Sequence, residues 1–335
     1  MEASDISILN AGPILSELRT TLQTLDVSTS VYLQQTRNHT PHDSPILSPV
    51  RNLLGINQYV LPQLLQRLGI RSLTVSTQYE LSQLTNFSVD MPEGHDERNL
   101  WHYLKTGPLL AELTSLFAHC QTIAFDDWSN LAAASDVWSG LLSHVIKPIG
   151  RKDLEFIFYL GDSQRKLSFQ VDEALDVIGD FSFYGQVTFA LDEPEALHLW
   201  RLLNGIHQDT PLTDQSFPDL KRKYVSLFRT MNITRLLIYS ATNALLFSRN
   251  QPFALARQKV PATIEMAPDA RQNFIEGFSL GLLLKVDMPQ CLALGLIVFG
   301  SYGDQPASPA QPDLLAYVDR WLDDLQKPES LYLYQ

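Results

Sequence analysis

The chain predicts an α+β fold: mixed β-sheets covered by helices, built from duplicated ββαβα-like units, with an N-terminal helical arm. Three observations lead there. Three stretches echo one another, Gln121-Thr-Ile-Ala-Phe-Asp-Asp, Gln186-Val-Thr-Phe-Ala-Leu-Asp-Glu and Gln290-Cys-Leu-Ala-Leu-Gly-Leu-Ile-Val, and each reads as a short buried strand. Each is followed by a helical pattern carrying one tryptophan among leucines, at Trp138, Trp200 and Trp321. The order ββαβα is read twice in the second half of the chain. A single such unit cannot bury its own apolar face and has to pack on its neighbours. The tryptophans are not evenly spaced, so the pattern is not a solenoid of short uniform repeats.

From the N-terminus, Leu15, Leu18, Leu22 and Leu25 recur at three- and four-residue steps, one narrow apolar stripe on a helix over 13–25. A polar stretch with Pro41, Pro45 and Pro49 follows and reads as a loop. The helix is therefore either a strut on the core or an arm offered to a partner, and its four leucines are the candidate partner-binding residues. Helical periodicity resumes over 50–68, bent near Pro62 and closed by Gly69. Ser72-Leu-Thr-Val-Ser-Thr reads as a strand, 86–97 as a loop, and 98–118 as a helix interrupted near Gly107 and Pro108. After the first echo strand, Leu131, Ala134, Trp138, Leu141 and Val145 share a helix face.

In the first ββαβα unit, Leu154-Glu-Phe-Ile-Phe-Tyr-Leu and Lys166-Leu-Ser-Phe-Gln-Val form a hairpin, a helix starts at Asp172, the strand at Gln186 follows, and Asp192-Glu-Pro opens a helix. In the next unit, Arg235-Leu-Leu-Ile-Tyr-Ser and Ala244-Leu-Leu-Phe-Ser flank a turn at Thr242 and Asn243; a helix over 269–284, the strand at Cys291–Phe299 and a last helix through Trp321 complete it. Residues 1–49 thus form the amphipathic helix with its loop, 50–150 a helical and α/β region, and 151–335 the two ββαβα-like units.

Composition narrows the function classes. With 25 basic and 37 acidic residues the formal charge is −12, which disfavours nucleic acid and anionic membrane. The best basic patch, Lys221-Arg222-Lys223, reads as a solvated helix face. Two cysteines, Cys120 and Cys291, make no disulfide framework, and the first residues lack the pattern of a secretory signal, so a cytoplasmic setting is expected. Charged residues are only 19% of the chain, below the roughly 25% usual for soluble domains, and such a surface suits a covering partner.

The search for chemistry returns no catalytic set. Gly277-Phe-Ser279-Leu-Gly281 matches a nucleophile elbow in letters, but its surroundings read as helix and no histidine lies beyond His207; two glycines for close helix packing explain it better. Cys120 beside His119 reads as a buried small side chain. Acidic residues recur at strand ends: Asp126, Asp127, Asp192, Glu193 and Asp304. In one parallel sheet they would gather on its carboxyl edge as a ligand site, with or without a divalent cation. As helix N-caps they would need no ligand. No zinc-like spacing of His and Cys and no phosphate-cradling glycine loop is present, so no metal and no cofactor are expected. These features favour a non-catalytic adaptor, regulatory or chaperone-like protein that works through a protein partner or self-association. The alternative is an enzyme or small-ligand receptor using the strand-end carboxylates.

Overall fold

The computed structural model of the chain describes residues 6–24, 30–33, 58–60, 63–75, 100–105, 108–126, 128–131, 133–161, 163–207, 210, 216–240, 242–249, 252–256, 270–304 and 311–326. Within them the order is β1 (Ser7–Ile8), α1 (Ala11–Gln23), β2 (Ser30–Leu33), β3 (Gln58–Val60), α2 (Gln63–Arg67), β4 (Ile70–Val75), α3 (Leu100–Leu104), α4 (Pro108–His119), β5 (Cys120–Phe125) and α5 (Ala134–Leu141). A π-helical turn (Leu142–Ile146) and a last turn (Lys147–Ile149) extend α5. Then follow β6 (Leu154–Phe158), α6 (Ser168–Phe181), β7 (Gly185–Asp192), α7 (Glu193–Leu203), α8 (Phe217–Thr230), β8 (Arg235–Tyr239), β9 (Asn243–Ser248), β10 (Phe253–Ala256), α9 (Ala270–Leu283), α10 (Met288–Asp304) and α11 (Gln311–Leu325).

Among the described residues, ten strands join one sheet in the order β1-β10-β9-β8-β7-β6-β5-β4-β2-β3. The centre is four parallel strands, β5 to β8, in chain order. Antiparallel β4 and β9 flank them. The fold is therefore α/β with one mixed sheet covered by helices, and strands from all three segments divided above lie in it. Because β5 to β8 are buried on both faces, they read as continuous apolar runs rather than alternating ones.

Alternate residues of these strands feed two cores. Phe125, Phe156, Phe158, Phe189 and Leu236 point to the face covered by α2 and α4 to α8. There Phe125 stacks on Phe158 with centroids 4.8 Å apart, and Trp138 and Phe181 meet the pair edge-on. Ala124, Ile157, Tyr159, Ala190, Leu237 and Tyr239 point to the opposite face, covered by α1, α9, α10 and α11.

Four expectations are corrected here. The third echo, Cys291–Phe299, is not a strand but the middle of α10, buried all round. A continuous apolar run carries no period to tell a buried strand from a buried helix, and burial of Gln290 to Ser301 on every side gives α10 that character. The hairpin partner at Lys166 is also absent: Leu167 and Phe169 alternate as in a strand but are 63% and 62% exposed, and α6 begins at Ser168. With both strands gone, the ββαβα duplication goes too. Finally, Gln58–Val60 is a strand beside β2 rather than helix, whereas Gly69 does close the short α2, with φ of +74°.

The N-terminal helix is a strut. Leu15, Leu18 and Leu22 have no exposed surface and pack within the chain beneath α10 and α11, Arg19 pairs with Asp319 at 2.7 Å, and Gln311 donates to the Leu22 carbonyl. These three leucines are therefore covered rather than offered to a partner; Leu25 lies outside the described residues.

The α9–α10 pair is held by glycines. A Cβ on Gly277 would fall inside contact distance of the Leu294 carbonyl, one on Gly281 would lie 2.7 Å from the Cys291 Cα, and one on Gly295 would lie 2.7 Å from the Phe274 ring. The Gly-x-Ser-x-Gly letters therefore serve helix packing, and Ser279 sits within α9. Among the described residues no helix is long and apolar enough to cross a membrane.

Candidate functional site

The parallel block brings the carboxyl ends of β5, β6, β7 and β8 to one edge of the sheet, where ligands bind in open α/β sheets. Antiparallel β4 contributes its first residues to the same edge, because Ile70 lies opposite Phe125. What gathers there is Arg71 from β4, Asp126 after β5, Tyr159 after β6, Asp192 at the end of β7 with Glu193 and Glu195 on α7, and Tyr239 ending β8.

Arg71 is the centre of the charge network. Its side chain is 8% exposed; Nη1 donates to Asp126 Oδ2 at 2.6 Å, and Nη2 donates to Glu276 Oε1, from α9, at 3.3 Å. Burial acts to lower the Arg71 pKa, but the two carboxylates more than offset it and leave the guanidinium above its ordinary value. At the same edge, Tyr159 is 5% exposed, and its hydroxyl has no hydrogen-bond partner among the described residues. Burial first, then Tyr239, push its phenol well above the ordinary value; Arg71 opposes, while Asp126 and Glu195 add to the rise. The phenol is therefore neutral across the physiological range. Tyr239 is itself stacked on Phe274 of α9 with centroids 4.4 Å apart.

Of the sequence-predicted acids, Asp126 joins the Arg71 network. Asp192 is fully buried and caps α7: its Oδ1 accepts from Glu195 N at 2.7 Å, while Glu195 Oε2 accepts from Asp192 N at 3.0 Å, a reciprocal capping box. Glu193 accepts from the Tyr224 hydroxyl at 3.3 Å. Asp127 lies outside the described residues, and Asp304 is the last residue of α10, at a position whose side chain is not described. Sequence reasoning missed Arg71, Tyr159, Glu195, Tyr239 and Glu276. Only Glu195 had a local signal, three residues after its capping partner. Among the described residues no group of three or more His, Cys, Asp or Glu could hold a metal ion.

Burial holds the Glu193 carboxyl above its ordinary pKa, with the Tyr224 hydrogen bond opposing and Asp192 adding. A carboxyl whose pKa is raised by folding binds its proton more tightly when folded. Its contribution to stability is full at low pH and is lost as pH rises through the folded-state pKa. Glu193→Gln is therefore expected to leave melting unchanged near pH 4 and to raise it relative to the parent near pH 7; an equal effect at both values would contradict this account.

Other candidates resolve as structure. Cys120 and Cys291 are buried thiols, each pushed up to about 12 by burial, so neither is a ready nucleophile. In the basic patch, Lys223 is buried against Asp219 and lies over the Trp200 ring at 5.2 Å, leaving it packed rather than presented. At the opposite edge of the sheet, Arg235 pairs with Glu155 and donates to Thr188 at 2.8 Å.

No protein-family model matches the chain. No curated protein sequence matches it either. Among solved structures, a carbohydrate kinase from Agrobacterium tumefaciens is similar with a TM-score of 0.46 and 12% identity, over 87% of this chain and 94% of that one. A ribokinase from Thermotoga maritima gives 0.42 and 12% over 62% of this chain, and an Arabidopsis thaliana ribokinase complexed with ribose and ATP gives 0.38 and 14% over 56%. The chain spans 59% and 52% of the length of these two ribokinases. The likeness is one of α/β layering, and no residue role comes with it.

The expectation of an adaptor, regulatory or chaperone-like protein acting through a protein partner or self-association is corrected. It rested on the low charge fraction, the lack of a catalytic set, duplicated sheets and a tethered arm; in place of the last two, the described residues form a single sheet with a buried strut.

Proposed function

We propose that this chain is an enzyme or small-ligand receptor whose site is the carboxyl edge of β5 to β8, with Asp126, Asp192 and Glu193 as its strand-end carboxylates. The observation that carries the reading is Tyr159: a residue 5% exposed whose buried hydroxyl has no hydrogen-bond partner among the described residues, at the same sheet edge as an arginine held by two carboxylates. A buried polar group left unsatisfied costs roughly 1–3 kcal/mol, and such costs concentrate where a ligand supplies the missing partner. The buried free thiols of Cys120 and Cys291 go with a reducing, cytoplasmic setting, which fractionation of the tagged full chain checks.

The test is a melting-temperature screen of the purified chain with sugars, nucleosides, nucleotides including ATP, amines and amino acids, each with and without Mg²⁺. A ligand at a hundred times its Kd stabilises by about 2.7 kcal/mol, which is a shift of several degrees. At least one compound is expected to give such a shift, and Tyr159→Phe, which removes only the hydroxyl, is expected to lower its affinity at least tenfold. No shift from any compound, or a shift unchanged in Tyr159→Phe, would overturn the proposal.

A further inference from the structure

A polar cleft of about 300 Å³ opens between α3 and α5 and shares no residue with the carboxyl edge of the sheet. Its size is at the lower end of the range for ligand pockets, so it suits a small molecule. Trp101 and Lys105 line it from α3 and the residue that follows; Asp136, Ser139, Ser143 and His144 line it from α5 and its π-helical turn. Single wide turns of this kind are frequent at functional sites. Trp101 is seated against Gly140, where a Cβ would lie 2.2 Å from the indole ring, and its ring centroid is 5.7 Å from that of His144.

The two walls differ in hydrogen-bonding character. On the α3 side His102 already has an interaction of its own, and the groups that remain are donors only, because an indole N–H and an ammonium cannot accept. The Trp101 Nε1–H is buried and has no hydrogen-bond partner among the described residues. The α5 side offers acceptors. Asp136 contributes a carboxylate, and His144 Nδ1 lies 3.0 Å from the Gly140 carbonyl, which can only accept. Nδ1 therefore carries the proton, and Nε2 of the neutral ring is left as an acceptor. Lys105 and Asp136 line one cleft, yet neither is in an ion pair among the described residues. An anion would suit Lys105 but meet Asp136, and a cation would meet the reverse. A molecule that carries both charges a few bonds apart satisfies both walls. We infer that this cleft is a second site, which binds a zwitterion of the free α-amino acid class, its carboxylate toward Trp101 and Lys105 and its ammonium toward Asp136 and His144.

Calorimetry of the full chain at about pH 8, above the ordinary imidazole pKa, tests this with each common free amino acid, then with the amide and the N-acetyl form of the best binder. At least one amino acid is expected to bind with a Kd of about 1 mM or tighter. Its amide lacks the carboxylate and its N-acetyl form lacks the ammonium, so each is expected to bind about tenfold more weakly or worse. Lys105→Gln and Asp136→Asn, both at exposed positions, are expected to weaken the free amino acid by about the same factor while leaving the melting temperature of the unliganded chain unchanged. Binding of no amino acid overturns the inference, as does an amide or N-acetyl form that binds as tightly as its parent, or an affinity unchanged in both variants. If affinity falls in Tyr159→Phe and holds in these two, the amino acid sits at the sheet edge: the second site fails and the site proposed at that edge stands.

Discussion

Arg71→Met is expected to cost about 3–5 kcal/mol of unfolding free energy, the range seen when one partner of a buried ion pair is removed. The reason is what stays behind: Glu276 and Asp126, with side chains 10% and 23% exposed, would face each other without the guanidinium that now lies between them. Methionine approximates the arginine stem in volume, so the loss reads charge rather than cavity. Adding Asp126→Asn and Glu276→Gln to Arg71→Met is expected to recover much of the loss, because the pair's desolvation then disappears together with its attraction. Urea denaturation measures both. A single-variant loss under about 1 kcal/mol would mean that solvent screens this network, as it does surface pairs.

Gly277→Ala is expected to cost about 3 kcal/mol, at the upper end of the usual penalty for overfilling a packed core. Its new methyl would meet the Leu294 carbonyl, which is helix backbone and cannot swing aside. The neighbouring Ser279→Ala supplies the contrast: the Ser279 hydroxyl is buried with no hydrogen-bond partner among the described residues, so its removal is expected to be neutral or slightly stabilising. Thermal melts of the two variants therefore diverge even though they sit two residues apart on α9. Similar melting of both would remove the close-packed helix pair as an account of these glycines.

The parts legible in the sequence are those whose signal is local. β5 to β9 stand out as short apolar runs ended by turn or cap residues, and the start of α7 is written in Asp192, Pro194 and Glu195. α10 was illegible for a physical reason: a helix enclosed by the sheet, α9 and α11 has no polar face, so its pattern carries no 3.6-residue period. Lys166 to Val171 misled in the opposite way, through an alternation in which only Val171 is buried and Leu167 and Phe169 meet solvent. At the site, the acids at strand ends could be read as a row, but Arg71 joins Asp126 across 55 positions and Glu276 across 205. No spacing rule links such residues. Their meeting depends on β4 running antiparallel beside β5 and on α9 crossing the opposite face, both properties of the finished topology.

The two faces of the sheet are finished by different parts of the chain, and this gives the molecule a folding sequence. The helices over the Phe158 face, α4 to α8, are interleaved with β5 to β8 and lie close to them along the chain. The face bearing Ala124, Ile157 and Ala190 is closed by α9 to α11 together with α1, whose Arg19 meets Asp319 across 300 positions. A chain emerging from the ribosome would thus hold a half-covered sheet, with α1 waiting unattached, until α11 is made. The slow, concentration-sensitive stage of refolding should be the docking of that far layer, because pairing its most distant segments carries the largest loop-closure entropy and leaves apolar surface bare in the interval.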